Sequence, residues 1–265
     1  MNMNESVKRL LKKASFNQDV EALWIEQNPT TASATNLLNI LYELAALEEK
    51  YRVHGVPEYI LIDSLSDLRY RVERFRATHG SVGLSDHDIH WLQDFLNFKM
   101  FDLGSLRFQI FPFNLTYIER SGDDALPLTA VQKERFQAGS IYLNIHILKG
   151  ANLSVDAVFD ALERARVFFR KYFGHLKIEG FITRTWLIYS KMEIWLPEDS
   201  NIVQFGKCFE IIHEAPIRFQ ILERAFGTQD LSKIAAMPKK TYLQKHVLEN
   251  LDNIGVSFGY IPFKI

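Results

Sequence analysis

Ile141-Tyr142-Leu143-Asn144-Ile145-His146-Ile147-Leu148-Lys149-Gly150-Ala151-Asn152-Leu153-Ser154 opens the stretch that decides the fold, which runs on to Gly174. Ile141, Leu143, Ile145 and Ile147 alternate with Tyr142, Asn144 and His146, the period-2 pattern of a strand with one apolar face. Lys149 to Leu153 reads as a loop. Ser154 stands at the N-cap position, and Val155, Val158, Phe159, Leu162, Ala165, Phe169 and Tyr172 follow at helical spacing. Asp156 and Asp160 near the start, with Arg164, Arg166, Arg170 and Lys171 toward the end, complement the helix dipole. Gly174 is the expected stop. A loop entering a helix N-terminus beside a strand end is a place where phosphate binds, and it is also an ordinary α/β connection.

The chain has 265 residues, enough for one large domain or two ordinary ones. Hydrophobic residues make up 47% and charged residues 24%, a balance that supplies a core and a solvated surface. The formal net charge of -1 argues against nucleic-acid binding by bulk electrostatics. Cys208, the one cysteine, has no internal disulfide partner, which points to a reducing cytoplasm. Met1 to Ala14 lacks an apolar core of signal-peptide length, and no apolar run approaches the roughly 20 residues of a membrane span. The expectation is a cytoplasmic protein with no membrane span and no nucleic-acid partner.

The first hundred residues read as helices. Glu5 to Lys13, Val20 to Ile25, Thr35 to Arg52, Pro57 to Thr78 and a segment capped by Ser85-Asp86 each carry an apolar stripe. The period changes after Asp102-Leu103-Gly104: Leu106, Phe108 and Ile110 alternate with Arg107, Gln109 and Phe111. Leu115 to Glu119 reads as the partner strand. Arg120 to Gly139, polar and containing Ser121-Gly122-Asp123-Asp124 and Pro127, reads as one long loop. After the central stretch come a strand at Lys177 to Thr185, a helix at Tyr189 to Trp195, a turn at Pro197 to Asn201 capping Ile202 to Phe205, and a strand at Lys207 to His213. A helix follows at Ile217 to Phe226, then one from the Thr241/Gln244 capping pair to about Leu251, and a last strand at Val256 to Phe263. The order is helices first, then β-β-β-α-β-α-β-α-α-β. The boundary carries no linker composition.

On these residues the second half resembles the GNAT-like C-terminal domain of bacterial acyltransferases. The resemblance is carried by Asn144-Ile145-His146-Ile147, Lys149-Gly150-Ala151, the run Ala165 to Phe173, Trp186-Leu187, the run Leu196 to Val203 with Phe205, Arg224-Ala225-Phe226-Gly227, Thr241-Tyr242-Leu243-Gln244 and Gly259-Tyr260-Ile261. Gly55-Val56-Pro57 and the run Phe101 to Phe108 resemble the helical N-terminal domain that accompanies it. The resemblance covers about residues 50 to 265. It implies an α+β / α/β fold: an all-helical N-terminal domain, 1–103, packed on a GNAT-like mixed-sheet domain with flanking helices, 104–265. It also implies transfer from acyl-CoA or acetyl-CoA to a small-molecule or peptide amine, without a metal. Pantetheine would lie between two central parallel strands, and the pyrophosphate on Lys149, Gly150, Ala151, Asn152, Leu153 and Ser154. The superfamily's usual loop, Q/R-x-x-G-x-G/A, has a second glycine where this chain has Asn152, and a Cβ there stands where close approach to phosphate favours glycine. That departure opens a second reading, a catalytically silent module that binds a ligand or a protein in the same cleft.

Two side chains stand out for chemistry. His146, on the polar face of its strand, is a candidate general base, or else a partly buried histidine hydrogen-bonded to a neighbour. Tyr189, beyond the strand ending at Thr185, sits where GNAT-type enzymes often keep a tyrosine acid, and it also suits an amphipathic helix start. Glu179 is a weaker base candidate. Ser200 with Asp199 fits a cap better than a hydrolase triad, and nothing forms a G-x-S-x-G elbow. Cys208 reads as core, and His87 with His90 lacks the matching ligands of a metal site. The 20 phenylalanines and 4 tryptophans predict a large aromatic core, or a groove for a fatty chain.

Overall fold

The helical spacing of the N-terminal part is realised nearly as read. The computed structural model describes residues 3–119 and 128–264. It begins with α1 (Met3–Lys13), α2 (Gln18–Glu26), α3 (Ala32–Val53), α4 (Glu58–His79) and α5 (Asp86–Leu96). Asn17, Thr31 and Ser85 cap α2, α3 and α5 by accepting from the amides of Val20, Ala34 and Asp88. Gly80, at φ 73°, closes α4 with its N–H on the Arg76 carbonyl.

Strands β1 (Met100–Leu103) and β2 (Leu106–Pro112) form an antiparallel hairpin that turns at Gly104, φ 79°, and Ser105. β1 is absent from the sequence reading, which began its strands after the glycine. The expected strand at Leu115 to Glu119 is instead helix α6 (Thr116–Glu119). Its cause is local: Asn114 Oδ1 accepts from the Thr116 amide at 2.8 Å, an Asx turn that starts a helix. The expected long loop contains α7 (Ala130–Arg135), started by a Thr129–Gln132 capping box. Residues 120–127 of that reading lie outside the described residues.

Then follow β3 (Ile141–His146), α8 (Val155–Tyr172) and β4 (Ile178–Thr185), with 3-10 turns at Trp186–Ile188 and Ser190–Ile194. The chain continues through α9 (Asn201–Gly206), β5 (Glu210–Ala215), α10 (Phe219–Phe226), α11 (Leu231–Ala236), α12 (Tyr242–His246), a 3-10 turn at Leu248–Asn253 and β6 (Val256–Pro262). α11, which the sequence reading omits, starts where Asp230 accepts from the Ser232 and Lys233 amides. The strands hydrogen-bond in the order β1-β2-β3-β4-β6-β5. β3 and β4 are parallel, while β1–β2, β4–β6 and β5–β6 are antiparallel, so the sheet is mixed.

The chain divides into two compact units. The first takes the chain to Gln109 together with Ile147–Gly150 and Val167–Gly174. Leu37, Leu38, Leu41, Leu44 and Leu47 of α3 are buried in it. Phe101 packs against Phe168 and Phe173 with ring centroids 4.8 and 5.3 Å apart, so the end of α8 supplies aromatic core here. Arg107, 0% exposed, donates to Asp67 at 2.8 Å, to the Ser64 carbonyl at 2.8 Å and to both oxygens of Asp102. Arg71 and Trp91 also donate to Asp67, at 3.1 and 2.9 Å. Every charge in this network is paired, as burial requires.

The second unit takes Ile110–His146, Ala151–Arg166 and His175–Ile265. One cluster in it gathers Phe113, Phe136, Tyr142, Ile182 and Phe258. Another gathers Trp186, Tyr189, Met192, Ile221, Val247 and Val256. Two sequence expectations need correction here. β3 has no solvated face: Tyr142 and Asn144 are buried along with Leu143 and Ile145, because a central parallel strand is covered on both sides. On α8, Val155 and Phe159 are exposed, and the buried stripe is Val158, Ala161, Leu162, Ala165, Phe168 and Phe169. Arg166, counted among the dipole-complementing charges, is buried and donates to the Phe263 and Pro262 carbonyls at 3.0 and 3.2 Å.

Candidate active site

β3 and β4 pair from Ile141↔Ile178 through Leu143↔Phe181 to Asn144↔Ile182, with a bulge between the first two pairs. β4 continues to Thr185 against β6, through Thr183↔Gly259, Arg184↔Phe258 and Thr185↔Ser257. The parallel ladder therefore stops at Ile182 while the antiparallel one runs on. Past that point side chains join the two parallel strands. The Thr183 hydroxyl donates to the Ile145 carbonyl at 3.0 Å. The Tyr117 hydroxyl donates to Asn144 Oδ1 at 2.8 Å. Asn144 Nδ2 lies 3.3 Å from His146 Nε2. Burial raises the Tyr117 phenol far above its ordinary value, against the opposing pull of Arg184, so it stays protonated and able to donate.

Asn144 and Thr183, buried, and Tyr117 and His146, half-buried, thus gather where the parallel ladder ends. The sequence names His146 and places Asn144 beside it, but misses Tyr117, which comes from the segment read as a strand. Asn114 two residues before Thr116 is the signal that identifies that helix.

The loop after β3 carries the residues expected to hold a cofactor. Lys149, Gly150 and Asn152 are exposed, Ala151 and Ser154 half-buried, and Leu153 buried as the loop's anchor. Gly150 has φ 81°, a left-handed conformation that favours glycine, and a Cβ built there meets nothing within 4 Å. Asn152 Oδ1 accepts from the Ser154 amide at 3.0 Å. The first intrahelical bond runs from the Val158 amide to the Ser154 carbonyl at 3.0 Å. The Val155 and Asp156 amides of this first turn have no intrahelical acceptor, which is the feature that receives an anion. The Lys149 ammonium lies 5.5 Å from the centroid of the Tyr70 ring.

Tyr189 belongs to the Trp186–Met192–Val256 cluster and is 6% exposed. Gly255 gives its ring room, since a Cβ there stands 2.6 Å from the ring carbons. Burial raises its phenol, and Glu214 adds to the effect. Glu214 itself accepts from the Ser190 amide and hydroxyl, at 2.9 and 2.8 Å, and from the Ser257 hydroxyl at 2.7 Å.

The remaining candidates have structural partners. Glu179 pairs with Lys177 at 2.7 Å. Ser200 caps α9 by accepting from the Val203 amide. Cys208 is half-buried, its thiol pushed up by burial, with Sγ 3.5 Å from the Gln204 carbonyl oxygen. His87 and His90 are exposed on α5. Among the described residues no group of His, Cys, Asp and Glu is arranged to hold a metal ion, and no helix is long and apolar enough to cross a membrane.

The mixed sheet has a central parallel pair whose ladder ends ahead of the N-terminus of α8, and the comparisons give the class. The chain belongs to the family described as the GNAT-like C-terminal domain, whose model matches residues 100–260. Residues 2–98 match the N-acyltransferase N-terminal domain. No curated protein matches the chain. Among solved structures, a mutant acyltransferase in complex with octanoyl-CoA is 18% identical, with 97% of this chain and 88% of that chain covered and a TM-score of 0.73. An acyltransferase in complex with decanoyl-CoA is 22% identical over 88% of this chain and 67% of that one, with a TM-score of 0.69. An acyltransferase in complex with decanoyl-CoA and teicoplanin is 20% identical over 96% and 77%, with a TM-score of 0.66. At these identities the likeness is one of fold.

Proposed function

We propose that the protein transfers an acyl group from an acyl-CoA thioester to an amine. The observation that carries this reading is the end of the parallel β3–β4 ladder, where Asn144 and His146 stand just ahead of the loop that leads into α8. Residues Lys149 to Ser154 would hold the pyrophosphate. The open space over Gly150 and the first-turn amides of α8 fit an anion. The pantetheine arm would run along the ends of β3 and β4. His146 Nε2 accepts the proton of the attacking amine as the C–N bond forms, and the C–S bond breaks to release CoA as its thiol. Tyr189, whose phenol is protonated at neutral pH, is the proposed donor to that thiolate. No covalent intermediate with the enzyme is required.

The acyl-CoA complexes of the similar folds support a medium-length acyl chain, and the teicoplanin complex supports a small-molecule acceptor. The division of labour we propose places the helical domain at 1–103 and the acyltransferase domain at 104–265, near the junction of the two family matches. A reducing bacterial cytoplasm is the compartment that a single cysteine suits.

One observation favours the alternative, a silent ligand- or protein-binding module: Asn152 Oδ1 already takes the Ser154 amide, which an incoming phosphate would otherwise use. Release of free CoA thiol, followed with octanoyl-CoA and a panel of amines, separates the two readings. Amine-dependent release that falls at least a hundredfold in His146→Gln supports transfer by a general base. CoA binding without release at any amine supports the silent module.

A further inference from the structure

Lys149 is held differently from the lysines that form ion pairs. Lys13, Lys99, Lys177, Lys207 and Lys233 each lie beside a carboxylate, from 2.6 Å for Lys13–Glu58 to 3.9 Å for Lys99–Asp94. The Lys149 ammonium lies over the face of the Tyr70 ring, 5.5 Å from its centroid. That is inside the roughly 6 Å within which a ring face attracts a cation. The two kinds of contact leave the ammonium in different states. A carboxylate cancels its charge. A ring face attracts through its quadrupole and brings no net charge, so the positive charge stays available to an anion.

The ring itself is on a fixed support. Tyr70 is half-buried on α4, between Asp67 and Arg74 on the neighbouring turns. Asp67 accepts from Arg107 at 2.8 Å and Arg74 donates to Asp88 at 3.1 Å, so both turns are tied down. Ile147–Gly150 belongs to the same compact unit as α4. An exposed lysine gives up much rotamer freedom when it closes on a ligand, and a contact made beforehand removes part of that cost. We infer that Tyr70 is a positioning residue for the acyl donor: its ring face holds Lys149 where the donor's pyrophosphate binds, so that α4 takes part in choosing a CoA ester over a thioester without phosphate. The inference rests on the acyl-transfer reading and deepens it. Tyr70 acts through Lys149 and touches neither the thioester nor the amine. Its effect therefore falls on donor affinity and leaves kcat alone.

The test compares octanoyl-CoA with octanoyl-pantetheine, which carries the same thioester and no phosphate. Tyr70→Leu keeps an apolar side chain and removes the ring face. It is expected to raise KM for octanoyl-CoA about two- to fivefold, the size of an exposed cation–π contact, with kcat and the kinetics of octanoyl-pantetheine unchanged. Tyr70→Phe keeps the face and is expected to match the wild type. Lys149→Ala, at an exposed position, is expected to raise KM for octanoyl-CoA about tenfold, again for that donor alone, and to erase the effect of adding Tyr70→Leu. Calorimetry with CoA reads the same differences without turnover. An unchanged KM in Tyr70→Leu, equal losses with both donors, a loss in Tyr70→Phe as large as in Tyr70→Leu, or an effect of Tyr70→Leu that persists in Lys149→Ala overturns the inference and leaves acyl transfer standing. Tighter CoA binding by Tyr70→Leu overturns it too, since the ring would then hold Lys149 away from the anion. Wild-type protein that binds no CoA overturns the acyl-transfer reading, and the inference falls with it.

Discussion

Replacing Arg107 by Met tests the internal electrostatics of the first compact unit. The two side chains have similar length, so the change removes a charge and its donors while filling much of the same space. Arg107 is 0% exposed and its two carboxylate partners, Asp67 and Asp102, are 4% and 10% exposed. Asp67 keeps Arg71 and the Trp91 N–H, but Asp102 keeps only the Ser66 hydroxyl, at 3.2 Å, of its side-chain donors. Losing one member of a buried pair costs about 3–5 kcal/mol, because the other charge stays behind unpaired. The cost has a definite pH dependence. Burial already raises the Asp102 carboxyl from 3.8, with Arg107 pulling the other way, and removing Arg107 raises it further. A carboxyl whose folded value lies above its unfolded one destabilises the fold increasingly as pH climbs from the unfolded value to the folded one. The penalty is constant above that window and absent below it. The loss in Arg107→Met is therefore greatest near neutrality. Because the native protein already carries a smaller penalty of the same sign, the loss shrinks as pH falls between the variant's folded Asp102 value and the native one, by about 1.4 kcal/mol per pH unit. Urea unfolding across this range, with Asp102→Asn added to the first variant, reads both effects. The double variant should recover most of the loss at neutral pH. A loss under about 1 kcal/mol at neutral pH, or one that Asp102→Asn leaves unchanged, refutes the reasoning.

Other expectations follow from particular positions. Gly150→Ala should cost about 1–2 kcal/mol of stability from its left-handed backbone alone, since its Cβ meets nothing within 4 Å; calorimetry should then find acyl-CoA affinity reduced at least tenfold. Gly180→Ala places a Cβ 2.7 Å from the Ile261 carbonyl oxygen across the β4–β6 ladder, so its urea midpoint should fall by the equivalent of about 3 kcal/mol. Thr241→Ala removes the hydroxyl that accepts from the Gln244 amide in the capping box at α12 and should cost about 1 kcal/mol, read as faster amide exchange there than elsewhere in the second unit. Tyr189→Phe tests the proposed acid: a donor role predicts a fall in kcat of about a hundredfold, and unchanged turnover leaves Tyr189 a packing residue.

Long amphipathic helices were legible because their apolar spacing repeats over many turns and their caps are local. Asn17, Thr31 and Ser85 are each visible a few residues from the bond they make. Shorter elements were misread where a few residues fit two periods. Tyr117 and Ile118 alternate like a strand, yet the Asn114 turn makes them helical. β1 escaped because the hairpin turn at Gly104 was taken as the start of strand structure rather than its middle. The site divides in the same way. His146, Asn144 and the Lys149 to Ser154 loop are contiguous in sequence, so strand and helix periods locate them. Tyr117 reaches Asn144 only through the packing of the second unit, which no spacing along the chain encodes. Tyr189 was placed by chain position, and whether a tyrosine lines a cleft or fills a cluster depends on Gly255, far along the sequence.

The central claim is that the chain binds an acyl-CoA as substrate. Thermal unfolding with acetyl-, octanoyl- and decanoyl-CoA tests it most directly, because a ligand bound only by the native state adds about 2.7 kcal/mol at a hundredfold excess over its dissociation constant. The account predicts a rise in unfolding temperature that is largest for one chain length and is reduced in Gly150→Ala. No rise with any acyl-CoA at millimolar concentration contradicts it.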